Sequence, residues 1–130
     1  MSALTNAFET HTLQYLFTTA TLTRPTAWYI ALFTSDPTDT GAAGTEVSTG
    51  TGYARTTVSF SVTNDLATNS AAVEFPAASG GNWGTVTHIG VMDAATSGNM
   101  IIHSALAVAK AINDGDVFRI PTGDLDLTAA

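Results

Sequence analysis

NWGTVTHIGVMDAATSGNM, residues 82–100, brings a tryptophan, a histidine and an aspartate close together in the chain. As chemistry, His88 and Asp93 form a candidate catalytic pair or two metal ligands. As architecture, Val86–Met92 reads as a strand, Asp93–Asn99 as a run of turn-formers and Met100–Ala107 as the returning strand. On an unbroken strand, residues five apart point to opposite faces, so His88 and Asp93 would not meet. The stretch is a hairpin, and the remaining chain is read from it.

Working outward, most of the sequence has β character. Trp28–Thr34, WYIALFT, is apolar on both faces, as in a strand covered on both sides. ARTTVSFSV, residues 54–62, alternates: Ala54, Thr56, Val58, Phe60 and Val62 on one face, polar residues on the other. SAAVEF repeats the pattern with Ala71, Val73 and Phe75 until Pro76 stops it. Ala109–Ile112 and Val117–Ile120 flank Asn113-Asp114-Gly115-Asp116, a hairpin signal of the type I′ kind. Gly123–Leu127 supplies a last alternating strand.

Before Trp28 the pattern changes. Asn6 with Glu9 reads as a capping box. Phe8, Tyr15 and Leu16 then fall on one side at helical spacing, with Leu4 extending the stripe backward. A short amphipathic helix is expected from about Asn6 to Thr18, and Arg24-Pro25 bars its continuation. The expected architecture is all-β, an antiparallel β-sandwich, jelly-roll-like or barrel-like, with a short N-terminal α-helix. Residues 1–27 are read as an N-terminal arm and 28–130 as a single β-sandwich domain of seven or so strands.

Composition narrows the function. Four basic residues stand against eleven acidic ones, a net charge of -7. That argues against nucleic acid, which is held by clustered Lys and Arg, and against an anionic membrane surface. No apolar run approaches the ~20 residues that span a bilayer. The chain has no cysteine, so it lacks disulfides and thiolate metal sites. Only 12% of residues are charged. A charge-poor surface rich in Thr, Ser, Ala and Gly suits a protein packed against copies or neighbours.

The candidate chemistry is thin. Ser104 adjoins His103, but strand neighbours point to opposite faces, and no Gly-x-Ser-x-Gly elbow is present. His88 and His103, on paired strands, could join Asp93 in a two-His, one-carboxylate site, although the set has no recognised ligand spacing. SDPTD at 35–39 and NDGD at 113–116 lack the graded ligands of a calcium loop and fit Asx turns. Glu9, Glu46 and Glu74 lie on three separate elements, with nothing to gather them into a glycosidase pair. The expectation is a protein that is not an enzyme, with no metal and no cofactor.

WYIALFTSDPTDTG, GTEVSTGTGYAR, NSAAVEFP, WGTVTHIGVMDAATSGNM and NDGDVFRIPTGDLDLT, taken in order, resemble a family of small tailed-bacteriophage and prophage proteins. These are usually labelled tail-fibre-like or virion structural proteins. The resemblance runs from Trp28 to the C-terminus. It implies a virion component, made in the host bacterial cytoplasm, with no catalytic residues to carry over.

The chain has no heptads or shaft repeats of its own. A capsid decoration (cement) protein on the major capsid protein is therefore the first expectation, self-associating as a homo-oligomer such as a trimer. A tail-tip or tail-fibre-associated receptor-binding or adaptor domain, with tail proteins as partners, is the alternative. The candidate partner-binding residues are Leu4, Phe8 and Tyr15 on the helix stripe, and Asp36, Thr38 and Glu46 in the long loop Ser35–Gly52. The same stripe would equally close an open end of the sandwich, and the loop would equally be an ordered exposed connection.

Overall fold

A computed structural model describes residues 2–128. Among them lie ten strands, all paired antiparallel, and one α-helix. The strands are β1 (Ser2–Leu4), β2 (Tyr29–Phe33), β3 (Thr56–Thr57), β4 (Phe60–Thr63) and β5 (Leu66–Asn69), then β6 (Val73–Glu74), β7 (Gly84–Met92), β8 (Met100–Ile112), β9 (Arg119–Ile120) and β10 (Asp126–Thr128). The helix, α1 (Asn6–Phe17), follows β1. A five-stranded sheet runs β1-β8-β7-β2-β3, a three-stranded sheet β10-β5-β4, and β6 pairs with β9. The fold is the expected sandwich-like, mostly β architecture.

Period-two alternation places the core. On β2, Ile30 and Leu32 enter the main core, while Ala31 and Phe33 face the other way and pack with Met92 and Met100. The main core adds Val86, Ile89, Val91, Ile102 and Ile112 from the large sheet. These meet Val73, Phe75, Phe118, Ile120, Leu125 and Leu127 from the smaller sheets and their connections. β2 is thus covered on both faces, as its unbroken apolar run implies. The second cover is the long loop: Gly41, at φ +70°, runs so close to Met100 that a Cβ there would stand 3.0 Å from the Met100 Cβ.

The 82–100 stretch is a hairpin. Asp93 N–H donates to the Asn99 carbonyl (3.1 Å), and Asn99 N–H donates to Asp93 Oδ1 (2.7 Å). Ser97 and Gly98 supply the left-handed turn at φ 52° and 72°. Further out the register slips: Val86 pairs with Lys110 but His88 with Ala105, so residues 106–109 bulge opposite Thr87. The two segments expected around residues 100–107 and 109–112 are therefore one strand with a bulge.

Three local expectations are corrected. Residues 54–62 are not one strand: Thr56–Thr57 pairs with β2, and Phe60–Thr63 joins the other sheet. The chain turns a corner at Val58-Ser59 to pass between layers, and alternation continues through the corner. The strands flanking residues 113–116 do not pair with each other, since β9 pairs with β6. Positive φ is found at Gly115 but not at Asp114, so the turn lacks the two left-handed residues of type I′.

The third correction concerns the helix start. Its N-cap is Thr5, without a side-chain cap, and Asn6 is the first helical residue. The Thr5 hydroxyl donates instead to the Met100 carbonyl (2.7 Å), and Asn6 N–H donates to the Asp39 carbonyl (2.8 Å). Leu4 belongs to β1, opposite Ile102, and not to the helical stripe.

Candidate interaction surfaces

The most buried convergence of ionisable side chains among the described residues, Glu46, Tyr53 and Arg55, is built by neighbouring strands and the end of the long loop. Glu46 bridges to Phe33 of β2, and Tyr53 and Arg55 follow the loop. Tyr53 donates its hydroxyl proton to Glu46 Oε2 (2.6 Å) and accepts the Leu32 N–H (3.1 Å). Arg55 takes the same carboxylate with Nε (2.9 Å) and Nη2 (2.8 Å). Its Nη1 reaches the carbonyls of Ala94 (2.9 Å) and Ser97 (2.7 Å) in the hairpin turn.

Burial raises the Glu46 carboxyl, but the hydrogen bonds of Arg55 and Tyr53 and the Arg55 charge outweigh it and hold it below its ordinary value. Burial, then the bond to Glu46, pushes the Tyr53 phenol up, and Arg55's own hydrogen bonds to Glu46 raise the guanidinium. The network ties the long loop to the hairpin, and it spends its polar atoms internally. Glu46 therefore does not present a free carboxylate to a partner.

Asp36 and Thr38 remain on the surface. Asp36 Oδ1 accepts the Thr38 N–H (2.8 Å), an Asx turn that holds Thr38 at φ 59°, and the Thr38 hydroxyl meets that of Thr40 at 3.0 Å. His88 Nε2 stands 3.9 Å from Asp36, and His103 Nε2 stands 3.0 Å from Asp39. The histidines do not face each other directly, because His103 is opposite Gly90 and His88 opposite Ala105. Each imidazole instead meets a loop aspartate, while Asp93 is occupied by Asn99. No group of three or more His, Cys, Asp or Glu is placed to hold a metal among the described residues.

The arm carries the strongest apolar exposure. Phe8 is half-buried and lies edge-to-face with His11 at 5.0 Å. No α1 residue is buried, and Leu13, Tyr15, Leu16 and Phe17 are 59–79% exposed. Phe8 and Tyr15 thus differ in surroundings despite their helical spacing. Leu13, Leu16 and Phe17 are absent from the predicted contact set. Their signal is LQYLF, residues 13–17, apolar all round except at Gln14, which in a stable helix calls for a cover.

A groove of about 490 Å³ lies at the open edge of the sandwich. Leu4, Trp28, Phe60, Leu66 and Ile101 line its apolar walls, with Val62 and the charged Arg24 and Asp65 also around it. Its residues come from six strands, the β4–β5 turn and the segment before β2, so no local motif announces it.

A family model described as podophage GP4 fiber I protein gp80 matches residues 3–128. No curated protein matches the chain. The family match extends through the arm as well as the β-sandwich: the chain belongs to the podophage GP4 fiber I protein gp80 family, a family of phage fibre and virion-associated structural proteins.

Proposed function

We propose that the chain is an adhesive module of the phage tail-fibre apparatus, acting by shape and surface contact. It makes and breaks no covalent bonds in this reading and needs no cofactor. The observation that carries the proposal is the fibre family's match to residues 3–128, which includes the exposed apolar helix. Two features support a binding role over catalysis. Glu46, Tyr53 and Arg55 commit their hydrogen bonds to internal partners. The large uncovered surfaces are apolar, as protein-docking surfaces are. Its partners are other tail proteins and copies of itself, and neither nucleic acid nor membrane.

Capsid decoration on the major capsid protein is a second reading, favoured by the charge-poor composition and by the lack of shaft repeats in the chain. Quantitative mass spectrometry of purified particles separates the two. A tail-fibre part should follow tail symmetry at about a dozen copies, whereas a shell protein should reach hundreds. Hundreds of copies would reject the fibre assignment, and absence from purified particles would reject both.

A further inference from the structure

Two apolar surfaces lie uncovered in the single chain: the distal half of α1 and the groove at the sandwich edge. We propose that they cover each other between copies: Leu13, Leu16 and Phe17 of one chain, which share one face of the helix, seat in the groove of a second. This deepens the adhesive reading above and rests on it.

Area makes the first argument. The three side chains are 59%, 61% and 79% exposed, which for two leucines and a phenylalanine is about 400 Å² of surface. With a matching area from the groove, one joint buries about 800 Å², and reciprocal exchange about 1,600 Å², the size of a standard stable interface.

Shape and charge make the second. Leu13–Phe17 carries no formal charge, matching walls formed by Leu4, Trp28, Phe60, Leu66 and Ile101. The last turn of α1 has no basic residue, so its terminal carbonyls keep their partial negative charge. Arg24 lines the groove and forms no ion pair among the described residues, so the groove offers a cation to that helix end.

Connectivity makes the third. The base of the arm is pinned to its own sheet by Thr5 N–H to the Ile101 carbonyl (3.0 Å) and Asn6 N–H to the Asp39 carbonyl (2.8 Å). Leu4, just before the helix, and Arg24 and Trp28, on its return, line the groove. Arm and groove are therefore neighbours on the surface. A second copy that receives one arm is placed to offer its own, as a dimer or as a closed ring.

The cysteine-free sequence makes the test clean. A Phe17→Cys chain and a Val62→Cys chain are mixed and mildly oxidised, with Val108→Cys, exposed but away from the groove, replacing Val62→Cys as the control. The expected result is a Phe17–Val62 mixed disulfide formed at least tenfold faster than Phe17–Val108. In light scattering the unmodified chain should show at least twice the 13.4 kDa chain mass. Leu16→Asp and Val62→Asp should each return it to single mass with an unchanged circular dichroism spectrum. Equal cross-linking to both positions overturns the proposal. So does a single-chain mass at about 100 µM, where any micromolar contact is populated. A chain that is monomeric yet present on particles would overturn the exchange alone and leave the virion role standing.

Discussion

Arg55 holds Glu46 through two parallel hydrogen bonds, Nε to Oε2 and Nη2 to Oε1, and with its remaining nitrogen grips the turn that closes the β7–β8 hairpin. A planar five-donor guanidinium can serve both tasks at once, and an ammonium cannot. Arg55→Lys should therefore destabilise the chain by about 2–4 kcal/mol, close to Arg55→Ala, because either leaves a half-buried carboxylate short of partners. Urea unfolding of the three proteins measures this. A lysine variant as stable as the parent would show that the clamp contributes little.

The same pair sets an acid limit. The Glu46 pKa is lower in the folded chain than in the unfolded one, so its contribution is fully present above the unfolded value, about 4.3. It is lost as pH falls through the folded value. Glu46→Gln should flatten the fall in stability below about pH 4.3 while costing stability at pH 7. Thermal melts across that range, parent against variant, check the sign. Parallel profiles would contradict it.

Asn69 is a buried knot between β5 and the C-terminal segment. Its amide donates to the carbonyls of Ala71 and Pro121, both at 2.9 Å, and its oxygen accepts the N–H groups of Gly123 (3.1 Å) and Leu125 (3.0 Å). All four capacities of the side chain are used. Asn69→Asp keeps the shape but replaces two donors with an acceptor facing two carbonyls, and should cost about 3 kcal/mol or more at pH 7. Chemical denaturation gives the value, and part of the loss should return at low pH as the carboxyl protonates.

Phe75 sits among three other rings, with centroids 6.1 Å from Tyr53, 6.3 Å from Trp83 and 5.7 Å from Phe118. Phe75→Ala should cost about 3–5 kcal/mol through the cavity it leaves. Trp83 fluorescence should shift in the folded state, reporting the loss beside it. An unchanged emission maximum with full stability would mean that the cluster closes over the gap.

The alternating and doubly apolar segments made the central fold legible. β2 could be read because both its faces are buried, and the hairpin at 82–100 because its turn residues are local. β5 was not anticipated: Leu66-Ala67-Thr68-Asn69 has little alternation, and its turn depends on Asn64 taking φ 56°. The corner at Val58-Ser59 was hidden because inward and outward residues alternate on either side of it. Glu46 read as a loop acid because Arg55 and Tyr53, which bind it, lie beyond the loop's turns. The groove is assembled from distant segments, so its existence depends on packing that no local spacing encodes. The exposed half of α1 was partly visible, with Tyr15 and Leu16 placed on the stripe and Leu13 and Phe17 passed over.

Ser2–Leu4 forms an edge strand on β8, so deleting residues 1–19 would remove sheet structure together with the helix. Leu16→Asp with Phe17→Asp is the gentler probe. These exposed changes should leave stability within about 0.5 kcal/mol while lowering incorporation into particles at least tenfold, read by mass spectrometry of purified virions. Full incorporation would remove the helix from the docking surface.

The most direct measurement of an adhesive virion role is a reconstruction of the phage particle with this chain located in its density. The account predicts copies of the β-sandwich on the tail-fibre apparatus, with α1 buried against a neighbouring protein. Particles that lack the chain, or density in which α1 lies bare in solvent, would contradict it.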